Sequence, residues 1–402
     1  MSSEVPEGWA SVKLGDLIDT LEAGVSVNSE SRPCGFGEIG VLKTSSVSGG
    51  RFRPTENKVV VNGEAGRVKV PVGANSIILS RMNTLSLVGE NAYVEIEHPN
   101  LYLPDRLWML RTNQRANCRW LSFFMQSDAF RARLTDIATG TSGSMKNISK
   151  AGLAQLSLLL PPLDEQRRIA EVLRSVDEAI AANRAMIEQL SRMRAATLHA
   201  AFEETAWEVV RLSDLGRWSS GGTPSKADEA LWNGDIPWIC PRDMKTPIVT
   251  RAESSVSEKA VGGACKIVPK GTLLLVVRGM ILAKVIPTAT TAMPATYNQD
   301  IKAFHPNGRA IPKFVQLCLQ HQEHKLLKQV NTATHGTKKL DAQTIAEIEV
   351  PLPNLPDQIE LANAVADMDL AMVRSGEEHV RLTVMRAALQ SDLLSGRVRV
   401  PL

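Results

Sequence analysis

Leu160-Pro161-Pro162-Leu163-Asp164-Glu165-Gln166, followed by Ile169-Ala170, returns 192 residues later as Leu352-Pro353-Asn354-Leu355-Pro356-Asp357-Gln358, followed by Leu361-Ala362. In both places prolines stop a short apolar run and an acidic residue, Asp164 or Asp357, opens a helix, as helix N-termini favour for their caps and their dipole. Apolar residues then recur at alternating steps of four and three: Ile169, Leu173, Val176, Ile180, Ile187 and Leu190, matched by Leu361, Val365, Met368, Met372 and Leu382. A period of 3.5 held over several turns marks a coiled-coil seam. At about 1.5 Å per residue, roughly 38 residues make a rod of about 57 Å. Asn183, Ser375, His379, Arg194 and Arg386 interrupt the seam. Either the apolar pattern leaks there, or these residues restrict register and pair the two helices in one alignment.

Working outward, the whole chain is written twice. Trp9 with Leu14-Gly15-Asp16-Leu17 returns as Trp207 with Leu212-Ser213-Asp214-Leu215, and Ile77-Ile78-Leu79-Ser80-Arg81 as Leu274-Leu275-Val276-Val277-Arg278. Toward the back of each unit the offset settles at 192: Ser144-Met145-Lys146-Asn147-Ile148 answers Gly336-Thr337-Lys338-Lys339-Leu340, and Met193-Arg194-Ala195-Ala196 answers Met385-Arg386-Ala387-Ala388. The front portions hold short apolar runs bounded by Gly, Pro, Asn and Ser, which predicts mainly β domains with long loops. Helices are predicted at 118–134 and 313–330, and closing strands at 156–160 and 348–352.

The expected fold is therefore α+β with a pseudo-two-fold internal repeat. Two mainly β domains with some helices, 1–160 and 204–352, are separated by two long helices, 161–203 and 353–402. Since the first helix carries the chain away from one domain and toward the other, the second can pack along it only by running back. The prediction is an antiparallel coiled coil with a domain at each end.

Composition excludes more than it selects. Forty-six Lys and Arg against 43 Asp and Glu leave a net charge of +3 over 402 residues, which permits a polyanionic partner without requiring one. Five scattered cysteines, none in a C-x-x-C pair, suit free thiols of a reducing cytoplasm. The start lacks a basic segment followed by an apolar one, and no run of about 18 apolar residues occurs, so a cytoplasmic protein away from membranes is expected. No phosphate loop, dinucleotide fingerprint or H-E-x-x-H is present, and the single Pro-Pro, at Pro161-Pro162, precedes leucine where an adenine methyltransferase would carry an aromatic residue. Cys318, His321 and His324 could share a helix face, but they lack a fourth ligand and read as a solvated face.

The paired Pro-Pro-Leu-Asp-Glu-Gln and Leu-Pro-Asp-Gln stretches, the helix ends 194–202 and 386–396, and the opening segments at Trp9 and Trp207 resemble the specificity subunits of Type I restriction-modification enzymes. The likeness covers the whole chain in the order domain, helix, domain, helix. Pro356-Asp357-Gln358 departs from it where an acid-Glu-Gln would be usual. The resemblance implies a non-catalytic subunit that binds double-stranded DNA, each domain being a target-recognition domain for one half of a split sequence. It further implies two modification (methyltransferase) subunits that use S-adenosylmethionine, and restriction subunits that translocate DNA with ATP and Mg. No cofactor or metal is expected in this chain. A purely structural coiled-coil adaptor is the competing class; it accounts for the helices but not for two long, divergent front domains.

Base readout needs donors and acceptors on loops, while phosphate contacts supply affinity. Three matched pairs of stretches carry them: Lys43, Thr44 and Ser45 against Arg242 and Asp243; Arg81 against Arg278; and Ser142, Ser144, Lys146 and Asn147 against Thr337, Lys338 and Lys339. Asn298 and Gln299, beside Tyr297, either read adenine or fix a turn between strands.

Overall fold

The structure, a computed structural model, describes residues 5–140, 145–204, 206–263, 265–333 and 336–400. Residue contacts divide it into two units, 1–184 with 377–402, and 185–376. Each long helix, Leu163–Glu203 and Leu355–Ser395, contributes one stretch to each unit.

In the first unit, among the described residues, a mixed five-stranded sheet runs in the order Ser29–Glu30, Asn57–Val60, Gly40–Leu42, His98–Tyr102, Pro71–Val72. An antiparallel four-stranded sheet runs Ile18–Ala23, Leu107–Thr112, Ser76–Ser80, Asn91–Val94. Ser76–Ser80 is buried along its whole length, with Ile77 and Leu79 in one core and Ile78 in another on the opposite face. Ala10–Lys13 pairs antiparallel with Ser157–Leu160, so the opening and closing strands of the domain zip together. The start of the first long helix packs there through Ile169, Ala170 and Leu173, joined in one core by Leu393 and Leu394 from the end of the second.

The second unit repeats the plan. Among the described residues, Gly216–Ser220, Ile301–Pro306, Leu273–Val276, Thr288–Thr291 and Ile248–Val249 form one sheet, and Ser254–Val256, Trp232–Ile239 and Thr296–Tyr297 another. Glu208–Arg211 pairs with Glu349–Leu352 as the counterpart of the first closing pair. Leu198 and Phe202 from the end of the first long helix share a core with Val365 from the second. Within each unit, then, the late part of one helix lies with the early part of the other, which is antiparallel pairing.

The glutamines that end the repeated motif fix each helix to its domain. Gln166 accepts from the Asn117 backbone N–H at 2.8 Å and donates to the Pro161 and Arg115 carbonyls at 2.9 and 3.1 Å. Gln358 repeats the set, accepting from the Ile311 N–H at 3.0 Å and donating to the Pro353 and Arg309 carbonyls at 2.9 Å each. Both side chains are fully buried, so three backbone groups per copy depend on one residue. The preceding acid differs between copies. Glu165 is buried and takes Trp9 Nε1 at 3.0 Å and Arg399 Nε at 2.6 Å. Asp357 is exposed, its backbone N–H donating to Asn354 Oδ1 at 2.9 Å, so Asn354 performs the capping expected of the acid.

Two sequence expectations change. The helix predicted at 118–134 is two, Cys118–Met125 and Asp128–Ile137, because Ser127 Oγ accepts from the Phe130 N–H and caps a new start. The helix predicted at 313–330 is likewise split into Pro312–His321 and Glu323–Leu327. No helix among the described residues is long and apolar enough to cross a membrane.

Candidate nucleic-acid interface

A parallel strand pair organises the polar loops in each unit. In the first, Gly40–Leu42 runs parallel to His98–Tyr102, so both leave the sheet at the same end. One continues into Lys43-Thr44-Ser45 and the other into Leu103-Pro104-Asp105-Arg106. Arg81, just past the strand Ser76–Ser80, ties in: its Nε donates to the Asp105 carbonyl at 2.6 Å and its backbone N–H to the Arg106 carbonyl at 3.1 Å. Met82–Asn83 pairs with Lys146–Asn147, and Arg81 Nη1 donates to Asn147 Oδ1 at 3.3 Å.

The second unit has the same arrangement. Trp232–Ile239 runs parallel to Thr296–Tyr297, and the two continue into Pro241-Arg242-Asp243 and Asn298-Gln299. The Val277 N–H donates to the Asp300 carbonyl at 2.8 Å, Gly279 N–H to the Lys338 carbonyl at 3.0 Å, and Arg278 bridges to Lys339. Arg278, Gln299, Lys338 and Lys339 are thereby gathered at one strand end.

The sequence-predicted residues divide by how far their side chains are already committed. Ser45 Oγ donates to Glu56 at 2.7 Å, and that bond, with Lys43 at 3.7 Å, holds the Glu56 carboxyl below its ordinary value. Thr44 and Thr337 are half-buried. Asp243 faces inward, accepting from the backbone N–H groups of Cys240 at 2.8 Å and Glu253 at 3.1 Å, while Arg242 pairs with Glu253 at 3.1 Å. Asn298 is buried and bonds Asp300 through both ends of its amide, which is the turn-fixing role. Gln299 is exposed and accepts from Thr223 Oγ1. Lys146 Nζ donates to the Gly140 carbonyl at 2.9 Å and Lys338 Nζ to Thr332 Oγ1 at 2.8 Å; Lys339 sits 2.6 Å from Asp341. Arg278 is exposed and, among the described residues, makes no ion pair. Ser142 and Ser144 lie outside the described residues.

Further polar groups beside this strip went unnoticed in the sequence. On the paired strands Gly216–Ser220 and Ile301–Pro306, Lys302 Nζ donates to Ser220 Oγ at 3.2 Å and Ser219 Oγ bonds His305 Nε2 at 2.7 Å. Burial, then the nearby charges of Arg217 and Lys266, hold the His305 pKa below its ordinary value. Arg217 and His305 face each other across the strands, a pairing that appears only once the register is known. The helix face bearing Cys318 and His321 is occupied by packing: Cys318 is buried, and His321 bonds Glu203 at 2.9 Å against the Phe202 ring.

Two domains of one plan, each closed by a long helix and each carrying its own polar strip at a parallel strand end, define a duplicated two-module protein. The family model described as Type I restriction modification DNA specificity domain matches residues 6–192 and again 204–374. The chain belongs to that family.

Its similarity to curated specificity subunits of Type I restriction enzymes is of two kinds. One from Escherichia coli is 32% identical over a stretch covering 42% of each chain, and one from Methanocaldococcus jannaschii, MjaVIII, is 23% identical over 98% of this chain and 94% of its own. The chain thus aligns with about two fifths of the length of the E. coli relative. Among solved structures, the S subunit of the Type I restriction-modification system of M. genitalium superposes with a TM-score of 0.63 at 17% identity, covering 98% of both chains. A further chain, from a structural study of the type I restriction-modification system, gives 0.52 at 16% identity over 98% and 100%. At these identities the structures bear on the fold.

Proposed function

We propose that this chain is the DNA-specificity subunit of a Type I restriction-modification complex, itself non-catalytic. Each domain reads one half of a bipartite target in double-stranded DNA, and the paired helices set the gap and dock modification subunits. The observation that carries this reading is the duplication of the polar strip: Lys43-Thr44 with Arg81, Lys146 and Asn147 in one unit, and Arg242 with Arg278, Gln299, Lys338 and Lys339 in the other. Cations at a strand end suit phosphates, and the neighbouring amides and hydroxyls suit base edges. The two strips differ in residues, as reading two different half-sites requires.

Methylation and cleavage then reside in partners: two methyltransferase subunits using S-adenosylmethionine, and restriction subunits using ATP and Mg. The cytoplasm, where the DNA is, is the compartment this role requires. The test is a gel shift of the chain with its modification subunits against duplexes carrying the methylated motif or a scrambled one, at fixed salt. Selective retention of the motif supports the reading; equal retention of both would favour a structural adaptor.

A further inference from the structure

Beside the strip of the second unit stands a turn that holds two apolar side chains out in solvent. The buried strand Leu273–Val276 runs out through Val277 to exposed Arg278, and Gly279 follows with φ +135°, a conformation that side-chain-bearing residues rarely adopt. A short helical turn, Met280–Ala283, comes next. It is pinned at both ends, since the Gly279 N–H donates to the Lys338 carbonyl at 3.0 Å and Leu282 is buried in the core. Between those pins Met280 is 65% exposed and Ile281 41% exposed.

Two apolar side chains held in water by a glycine-dependent turn need a reason. Their surroundings supply one: Arg278 and Lys284 flank them in sequence, both exposed, and the turn is bonded to the strand carrying Lys338 and Lys339. Apolar centre and cationic rim match a DNA groove, with phosphates on either side and base steps between.

The first unit holds a counterpart at the matching place. After Arg81 and the short strand Met82–Asn83 the chain turns through Thr84–Leu87, leaving Leu85 and Leu87 exposed. Arg131 Nη2 fastens that turn by donating to the Ser86 carbonyl at 2.7 Å. Two turns of different sequence thus present exposed aliphatic pairs just past the matched arginines.

We propose that Met280 and Ile281 in the second unit, and Leu85 and Leu87 in the first, are wedges that enter the groove of duplex DNA and partly unstack one base step in each half-site. The inference rests on the strips being the DNA-reading surfaces. It adds that part of the specificity lies in how readily that step deforms, so a flexible pyrimidine-purine step is favoured there.

The test uses the chain assembled with its modification subunits and a duplex carrying the methylome-defined target, with 2-aminopurine substituted at each adenine or guanine of a half-site in turn. Apart from the adenine that the modification subunits flip out to methylate, wedging predicts a rise in fluorescence on binding at one further step per half-site. Met280→Ala with Ile281→Ala abolishes the rise in the second unit's half-site alone and weakens binding by roughly tenfold. Circular dichroism and assembly with the modification subunits stay as in the parent. No rise outside the methylated adenine with the parent protein, or one there that the double variant leaves unchanged, overturns the wedge. So does a double variant that keeps the rise but loses the modification subunits, which would make the turn a protein contact. Failure of the underlying reading looks different: Arg278→Ala with Lys338→Ala would then bind the target as tightly and selectively as the parent.

Discussion

Arg386 Nε donates to Asp177 Oδ1 at 3.1 Å in the first unit, and the repeat-related residues Arg194 and Asp369 make the same pair at 2.7 Å in the second. Each pair joins the two long helices and also touches the domain of its own unit. Arg386 bonds Gln390, whose Nε2 donates to the Phe123 carbonyl at 2.9 Å, and Arg194 Nη2 donates to Gln320 Oε1 at 2.8 Å. The arginines that break the apolar seam therefore lock helix to helix and helix to domain together.

In the first pair the side chains are only 21% and 26% exposed, which puts the interaction between a surface pair and a buried one. Asp177→Ala should cost about 2 kcal/mol, more than the upper end for exposed pairs and less than for fully buried ones. Urea unfolding followed by tryptophan fluorescence checks this, and exchanging the partners as Asp177→Arg with Arg386→Asp should recover most of the loss. An exchange no better than the single change would mean that the pair has no specific role.

Gln166→Ala and Gln358→Ala should each cost about 2–4 kcal/mol, because each takes the side-chain partner from one buried and two part-buried backbone groups. The effect should be local. Hydrogen exchange at the Asn117 amide should quicken in the first variant and at the Ile311 amide in the second, since those groups lose their acceptor. Unchanged protection at both amides would refute the role given to the glutamines.

This motif shows how far the sequence could be read. Its repetition and the heptads behind it forecast the two long helices, because apolar periodicity is a local signal, and chain connectivity forecast their antiparallel pairing; the pairing of opening with closing strands is visible only in the structure. Side-chain direction is not a local signal. Nothing in Arg81 itself says that it bends back to Asp105 and Asn147 while Arg278, its match, stays exposed; that depends on neighbours distant in sequence. Nor does a string of helix-favouring residues reveal that Ser127 will cap a second helix, a choice helped by Gln126 turning its amide to the Gly50 carbonyl.

His305 gives a pH dependence. Burial and the neighbouring Arg217 and Lys266 lower its pKa in the folded state, so folding disfavours the protonated ring. Its stabilisation is complete above the ordinary imidazole value of about 6.5 and is lost as pH falls through the lower folded-state value. Melting curves from pH 7.5 to 5 should therefore show His305→Gln gaining on the parent as the solution is acidified. Parallel curves across that window would contradict the prediction.

Lengthening the first long helix by four residues adds about 6 Å, close to two base pairs at about 3.4 Å each. The recognised gap should lengthen while the letters of both half-sites stay as they are, which methylome sequencing reads directly. Altered letters at unchanged spacing would show that the helices do not measure the gap.

The central claim, one domain for one half-site, is tested most directly by replacing residues 206–352 with the corresponding segment of a relative that reads a different target. Methylome sequencing of cells carrying the hybrid should find one half-site rewritten, with the other half-site and the gap unchanged. Both half-sites altered together, or neither, would contradict it.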